Sequence, residues 1–266
     1  MTFRFVTFAS GSSGNSYLIQ SEHNNMLLDT GIAGKRIIQG MVDVGSTTEK
    51  LSGIFLTHEH TDHVKSIRMI SRKAPLATVY GSRGTLDSVA DKVSQERMSV
   101  IRGGDDIDMG DVQVSAFSLS HDASEPVGYS FAKNNRRITV ITDTGVVCEH
   151  MYPYICDSDL LVLEANHEKN ILMMGNYPYS LKKRITGKFG HISNVDAGRC
   201  ICRMLQERSK AEIPTVYLAH LSRENNTPLQ AELTVKNELF EAGFMPGRDL
   251  NLGVFARDEK GPVIEI

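Results

Sequence analysis

Basic charge is not in excess in this chain: 29 lysines and arginines stand against 32 aspartates and glutamates, a formal net charge of -3 over 266 residues. That balance argues against a generally basic nucleic-acid binder and leaves only a local patch open. Cysteine is scarce. Its four copies, Cys148, Cys156, Cys200 and Cys202, form no CxxC pair, which speaks against a disulfide framework and against a thiolate zinc site. Free, mostly buried thiols in a reducing cytoplasm are expected. Long apolar runs are missing as well. The opening segment MTFRFVTFAS alternates like a strand and holds no apolar signal core, and nothing downstream reaches membrane-spanning length. A cytoplasmic protein with no membrane partner is expected. No low-complexity linker or sharp compositional change interrupts the sequence, so one domain over residues 1–266 is favoured.

Short strand-like runs recur at 3–8, 16–19, 26–28, 54–56, 78–80, 112–118, 127–132, 137–141, 160–164, 215–218 and 252–256, with a further apolar stretch at 263–266. Helical patterns interleave at 35–44, 64–71, 85–92, 194–208 and 228–242. The last is well marked, with Asn226 and Thr227 as the cap, Pro228 in the first turn and Gly243 at the exit. Hairpins followed by helices, twice over, predict an α/β protein of layered sheets with helices outside.

Against this ordinary background, residues 57–63 read THEHTDH. His58, His60, Asp62 and His63 crowd into six positions directly after the apolar run at 53–56. Packing does not ask for such a cluster, whereas imidazole and carboxylate are the usual ligands of divalent metals and are costly to bury without one. His58 and His60 alternate along a strand end and share a side. Asp62 and His63 follow where the chain turns into the next element. Further polar residues stand at other strand ends: Asp29 after 26–28, His121 after 112–118, Asp143 after 137–141 and His220 after 215–218. A lone histidine of this kind is more often a hydrogen-bonded surface residue; four such positions together with the opening cluster point to a metal site.

These motifs resemble the metallo-β-lactamase-fold hydrolases, through HxHxDH at 58–63 and the later His121, Asp143 and His220. The resemblance implies a four-layer αββα sandwich of mixed, mostly antiparallel sheets with a binuclear site. It assigns His58, His60 and His121 to one metal, Asp62, His63 and His220 to the other, and Asp143 to a bridge between them. Asp29 would orient a ligand by hydrogen bonds without binding metal. Five imidazoles and two carboxylates without a thiolate suit Zn2+ or Mn2+, with iron left open. Two ions roughly 3.5–4 Å apart would lower the pKa of a water toward neutrality and supply the nucleophile.

Other segments narrow the substrate. The glycine-serine loop at 9–16 has the backbone freedom and the hydroxyls and amides of an anion site, which makes Ser13 and Asn15 substrate-binding candidates. Glu164, then His191 in HxS, then His220 in HxSR follow the order of the phosphodiesterase branch of the superfamily. There the middle histidine protonates the leaving oxygen and the glutamate orients it, so His191 and Glu164 join Asp62 as the catalytic candidates. Arg223 is the phosphate-clamp candidate. His167 in EANH is read equally well as a supporting or a solvated residue. The basic stretch at 177–188 is either a phosphate-contacting rim or a solvated helical face.

SGSSGNS, EANH and HLSRENNTP together are similar to the YycJ (WalJ) subgroup, which implies a bacterial exonuclease degrading double-stranded DNA from a 5' end, with a role in DNA repair. Between Asp143 and His220 there are 77 positions (220 minus 143), too few for the inserted domain of β-CASP nucleases, and no glycine-proline-rich tRNA-gripping arm is present. DNA is therefore preferred to RNA as partner. The alternatives are an endoribonuclease or cyclic-phosphate phosphodiesterase using the same site, and a non-catalytic metal-binding regulator.

Overall fold

The alternating N-terminal segment folds as β1 (Arg4–Ala9), which pairs antiparallel with β2 (Ser16–Gln20), itself antiparallel to β3 (Asn25–Leu28). The computed structural model describes residues 3–266, so Met1 and Thr2, at the start of that segment, lie outside the described residues. The chain divides into two units: one runs to Ser118 and takes in Ala123–Asn135 and Ala256–Ile266, the other comprises Leu119–Asp122 and Arg136–Phe255.

In the first unit, α1 (Gly34–Asp43) follows β3 and leads to β4 (Gly53–Phe55). A four-residue helix α2 (Thr61–Val64), α3 (Ile67–Lys73), β5 (Thr78–Gly81), α4 (Arg83–Ser88) and β6 (Met98–Val100) come next. Strands β3 to β6 run parallel. The helical stretch expected at 64–71 is therefore split, because the polar turn THEHTDH makes its own short helix before α3 begins. Two short strands escaped the sequence reading. They are β6 and β7 (Asp106–Asp108), partly exposed segments that lack the apolar run marking the equally short β4. Strand β7 pairs antiparallel with β8 (Gln113–Ser118), and β8 with β9 (Val127–Lys133).

The second unit contributes β10 (Arg136–Ile141), α5 (Tyr152–Cys156), β11 (Leu160–Glu164), α6 (Lys169–Met174), α7 (Tyr179–Ile185), α8 (Asn194–Glu207), β12 (Thr215–Ala219), α9 (Pro228–Glu241) and β13 (Asn251–Val254). Strands β10 to β13 are parallel. Every residue of β11 is buried, as a parallel strand covered on both faces requires. Back in the first unit, β14 (Val263–Glu265) pairs antiparallel with β1 and completes the sheet order β14-β1-β2-β3-β4-β5-β6. Three of its pairings are antiparallel and three parallel. The expected antiparallel majority thus gives way to an even split in this sheet, because each strand from β3 on is followed by a crossover that contains a helix.

Periodicity explains where the cores sit. In the first unit Leu18, Leu27, Ile54 and Val79 from the sheet, with Leu56 just after β4, meet Ile37 and Met41 of α1 and Ile67 and Ile70 of α3. Each such side chain contributes about 1.5–3 kcal/mol on burial. In the second unit α8 begins with a capping box, the Ser193 hydroxyl accepting from the Asp196 amide while the Asp196 carboxylate accepts from that of Ser193. The α9 start is capped by Thr227 ahead of Pro228, and Gly243 leaves it in the left-handed region at φ +84°. A Cβ on Gly198 would fall 2.7 Å from the Cβ of Glu238, so a glycine in α8 is what lets α9 approach so closely. All four cysteines are free thiols, Cys200 and Cys202 buried and the other two half-buried. Among the described residues, no helix is long and apolar enough to cross a membrane.

Candidate metal centre

The first ligand set is built on the carboxyl ends of β3 and β4. His58 and His63 are fully buried, and their ring centroids lie 4.1 Å apart; His60, half-buried, meets His58 edge-on at 4.6 Å. The expected sharing of a side by His58 and His60 is therefore present. Asp29 organises the group from beneath. Its carboxylate accepts from the Thr57 amide at 2.9 Å, from the Thr57 hydroxyl and from His63 Nδ1 at 2.7 Å. Thr57 Oγ1 also lies 3.0 Å from His58 Nδ1 and 3.1 Å from His63 Nδ1. With both Nδ1 atoms engaged, Nε2 is the nitrogen each ring leaves for an ion, and at His63 the Asn15 amide lies 3.1 Å from it. Burial pushes the Asp29 carboxyl above its ordinary pKa, while His63 and the Thr57 hydrogen bonds oppose that rise.

Two features of this turn were not foreseen from sequence. Thr57 was read only as the start of the motif, yet it touches one carboxylate and two imidazoles. Gly31 is the second: a Cβ there would fall 1.5 Å from the backbone oxygen of Asp62. The bare Cα lets the ligand turn dock, with Thr30 N donating to His63 O at 2.7 Å and Asn15 N to Asp62 O at 2.8 Å. Asn15 is itself fully buried. Its Oδ1 accepts from the Gly11 amide, and its Nδ2 lies 3.1 Å from His63 Nε2. Ser13, by contrast, is exposed and donates to Asp258 at 3.0 Å.

The second set sits in the other unit, at the carboxyl ends of parallel β10, β11 and β12, where ligand sites of α/β sheets gather. Asp143 follows β10, Glu164 ends β11 and His220 follows β12; His121 stands three residues past β8. Asp143 Oδ1 lies 3.5 Å from His220 Nε2 and 3.8 Å from His121 Nε2. The Nδ1 atoms of those rings are engaged elsewhere, His220 with Glu164 at 2.7 Å and His121 with the Gly190 carbonyl at 3.1 Å. Glu164 Oε1 also receives His191 Nδ1 at 2.8 Å, and its Oε2 accepts from the Thr144 amide at 3.0 Å. One buried carboxylate therefore orients two imidazoles, where the sequence suggested one.

The donor sets fit a divalent ion. Two ligands bound at about 2.1 Å in tetrahedral geometry lie about 3.4 Å apart. The spacings of His220 and His121 from Asp143 match this, as does the 3.6 Å between His63 Nε2 and Asp62 Oδ2. They are too long for hydrogen bonds, and they bring together the imidazole and carboxylate atoms that such an ion takes. Asp143, Glu164, His191 and His220 each place a ligand atom within 4.8 Å of the others. Backbone strain marks the same residues: Asp29 (φ 58°), Asp143 (φ 59°) and His220 (φ 54°) all adopt the left-handed region. Such strain costs of order 1–3 kcal/mol per residue and persists where the surroundings enforce it.

Electrostatics separate the roles. Burial would raise the pKa of Glu164, but His191, His220 and their hydrogen bonds hold it at about 2, so the carboxylate is ionised and the imidazoles donate to it. Burial would lower that of His191, but Glu164 and then Asp143 push it above its ordinary value. His121 is shifted down by burial, which suits a neutral ligand. His167 is buried, which excludes the solvated alternative. Neither of its ring nitrogens has a hydrogen-bond partner, and burial drives its pKa to about 4. Arg223 is exposed. The 177–188 stretch contains α7, with Lys182 donating to the carbonyls of Met173 and Gly175 and Arg184 pairing with Asp122.

Comparison with known proteins agrees with this picture. Residues 24–215 match the model of the Beta-lactamase superfamily domain. The chain is 33% identical over 269 residues to the exodeoxyribonuclease WalJ of Streptococcus pneumoniae serotype 2 (strain D39 / NCTC 7466), covering 99% of this chain and 98% of that one. It is 35% identical over 250 residues to the exodeoxyribonuclease YycJ of Bacillus anthracis, covering 93% of each. The crystal structure of the metallo-β-lactamase fold protein YhfI from Bacillus subtilis superposes with a TM-score of 0.71 at 17% identity, over 100% of both chains. The fold is thus the α/β metallo-β-lactamase one, with two seven-stranded mixed sheets and flanking helices.

Proposed function

Because the chain belongs to the β-lactamase superfamily, we propose that it is a metal-dependent phosphodiesterase that acts as a 5'-to-3' exonuclease on double-stranded DNA. The relatives named exodeoxyribonucleases, aligned over nearly the whole chain, support the substrate. The observation that carries the chemistry is the sharing of Glu164 Oε1 by His191 and His220. It couples a candidate metal-ligand imidazole to a second imidazole whose pKa the shared carboxylate raises.

On this reading His58, His60, Asp62 and His63 in the first unit, and His121, Asp143 and His220 in the second, would supply the ligands of the divalent ions. Zn2+ and Mn2+ are the ions that the donor set favours. When bound, they supply an activated water and neutralise charge on the phosphate. The chain's own residues do the rest. Asp29 and Thr57 fix the tautomers of His58 and His63, and Asp62 orients the attacking water. His191, whose Nδ1 proton is held by Glu164, gives its Nε2 proton to the departing 3'-oxygen, which leaves as an alcohol while the ring becomes neutral. Arg223 and Ser13 take phosphate contacts. Asn15 works from below, holding the loop against His63.

The test offers the metal-loaded protein 5'-phosphorylated duplex DNA, single-stranded DNA, precursor tRNA and a cyclic nucleotide. Nucleotides released progressively from the 5' ends of the duplex support the proposal. Activity confined to RNA or to the cyclic phosphate would falsify it.

A further inference from the structure

We propose that Phe189 and Lys188 form a nucleotide-binding step beside His191, the phenyl ring stacking on a base of the bound strand and the ammonium contacting its phosphate. The inference rests on the nuclease reading and adds to it a substrate contact that the strand-end motifs do not contain.

Phe189 is 52% exposed, and what sets it apart from equally exposed rings such as Phe240 is its place two residues before His191. Its backbone nevertheless lies in a firmly tied part of the second unit. Asp122 N donates to Phe189 O at 3.0 Å, Ser120 Oγ to Lys188 O at 2.6 Å, and His191 N to Ile185 O at 2.9 Å. The Gly190 carbonyl receives His121 Nδ1. A Cβ on Gly145 would meet the carbonyl oxygens of Lys188 and Gly187 at 2.4 and 2.5 Å, so the Asp143 turn also lies flat against this loop. The loop is thus fixed to the turns that carry His121 and Asp143, and His191 is only two residues on. The backbone beneath the ring is therefore held in place, and the ring keeps Lys188 as its neighbour.

Charge selects what the ring faces. From Lys169 to His191 the sequence holds five lysines and arginines and no acidic residue, in a chain whose net charge is -3. Lys188 Nζ stands 4.7 Å from the Phe189 ring centroid, a cation–π contact that sets an ammonium beside the aromatic face. Lys182 and Arg184 are engaged with backbone carbonyls and with Asp122, whereas Lys188 stands over the ring. A ligand that satisfies both groups has a flat π face and a negative charge within one small unit, and a nucleotide has that combination.

The experiment compares Phe189→Ala, Phe189→Leu and Phe189→Trp in the full-length, metal-loaded protein. It measures KM for a 5'-phosphorylated duplex and the fluorescence of 2-aminopurine placed at the end of the strand. Loss of the ring should raise KM about tenfold or more and abolish the stacking quench, while Trp retains both. Leu keeps the apolar bulk without the π face, so its failure separates stacking from folding, and unfolding midpoints near wild type exclude a damaged fold. Lys188→Ala should raise KM and reduce its salt dependence. Unchanged KM and quench in Phe189→Ala, with duplex DNA still cleaved by wild type, overturn this inference and leave the nuclease reading standing. A wild-type protein that hydrolyses bis(p-nitrophenyl) phosphate but neither binds nor cleaves DNA overturns both.

Discussion

His191 donates from Nδ1 to Oε1 of Glu164 across 2.8 Å, and that carboxylate is fully buried. Glu164 stays ionised despite its burial because two imidazoles and a backbone amide donate to it. A buried anion of this kind makes its partner a stronger base, so His191 keeps a proton that it would otherwise lose. The pair is suited to protonating a leaving group, and its consequences can be measured.

Replacing His191 with alanine should lower kcat on DNA by about 10²–10⁴-fold, the usual worth of a positioned general acid. Metal content should remain near wild type. A substrate whose phenolate departs without needing a proton should lose far less. Equal losses on both substrates, or a protein that no longer binds its ions, would mean that His191 serves as a ligand instead.

The pH–rate profile should carry the same signature. An acid works only while protonated, so kcat is level below the pKa of His191 and falls as pH rises through it. Since Glu164 and Asp143 hold that pKa above its ordinary value, the alkaline limb should lie correspondingly high. Glu164→Gln removes the nearest negative charge and should move the limb to lower pH, so activity drops more at pH 8 than at pH 6. A limb that stays where it was assigns the titration to another group.

Asp29→Asn should weaken metal binding by about 10–100-fold, the typical effect of removing a partner that orients a ligand. The asparagine cannot accept at once from Thr57 and from His63 Nδ1 as the carboxylate does. Competition with a chromophoric chelator measures the change, and affinity equal to wild type would show that His63 needs no such support.

His167 should give stability a pH dependence of its own. Its pKa is about 4 in the folded protein against an ordinary 6.5. The unfolded chain therefore binds a proton that the folded one refuses, and the contribution present above about 6.5 is lost as pH falls through about 4. His167→Gln should flatten the unfolding midpoint across that window, with chemical denaturation at several pH values as the check. An unchanged slope assigns the acid sensitivity to other groups.

Much of this protein was legible along the chain. Alternation located β1, and the cap at Thr227 with Pro228 after it and Gly243 beyond bounded α9, because those signals involve residues within a few positions of each other. Strands β6 and β7 and the helices α5 and α6 were not legible as elements, since they are short and no apolar period is sustained through them.

The candidate site divides in the same way. Residues 57–63 by themselves determined that metal chemistry was present, because ligand identity is a property of side-chain type and their crowding has no packing rationale. Only the tertiary structure decided what supports them. Asp29 meets His63 from 34 positions away, Glu164 meets His191 and His220 from 27 and 56, and Gly31 matters because the backbone of Asp62 lies where its side chain would be. Hydrogen-bond partners and close backbone approaches are set by how strands and turns converge in space, and separation along the chain carries no record of that convergence.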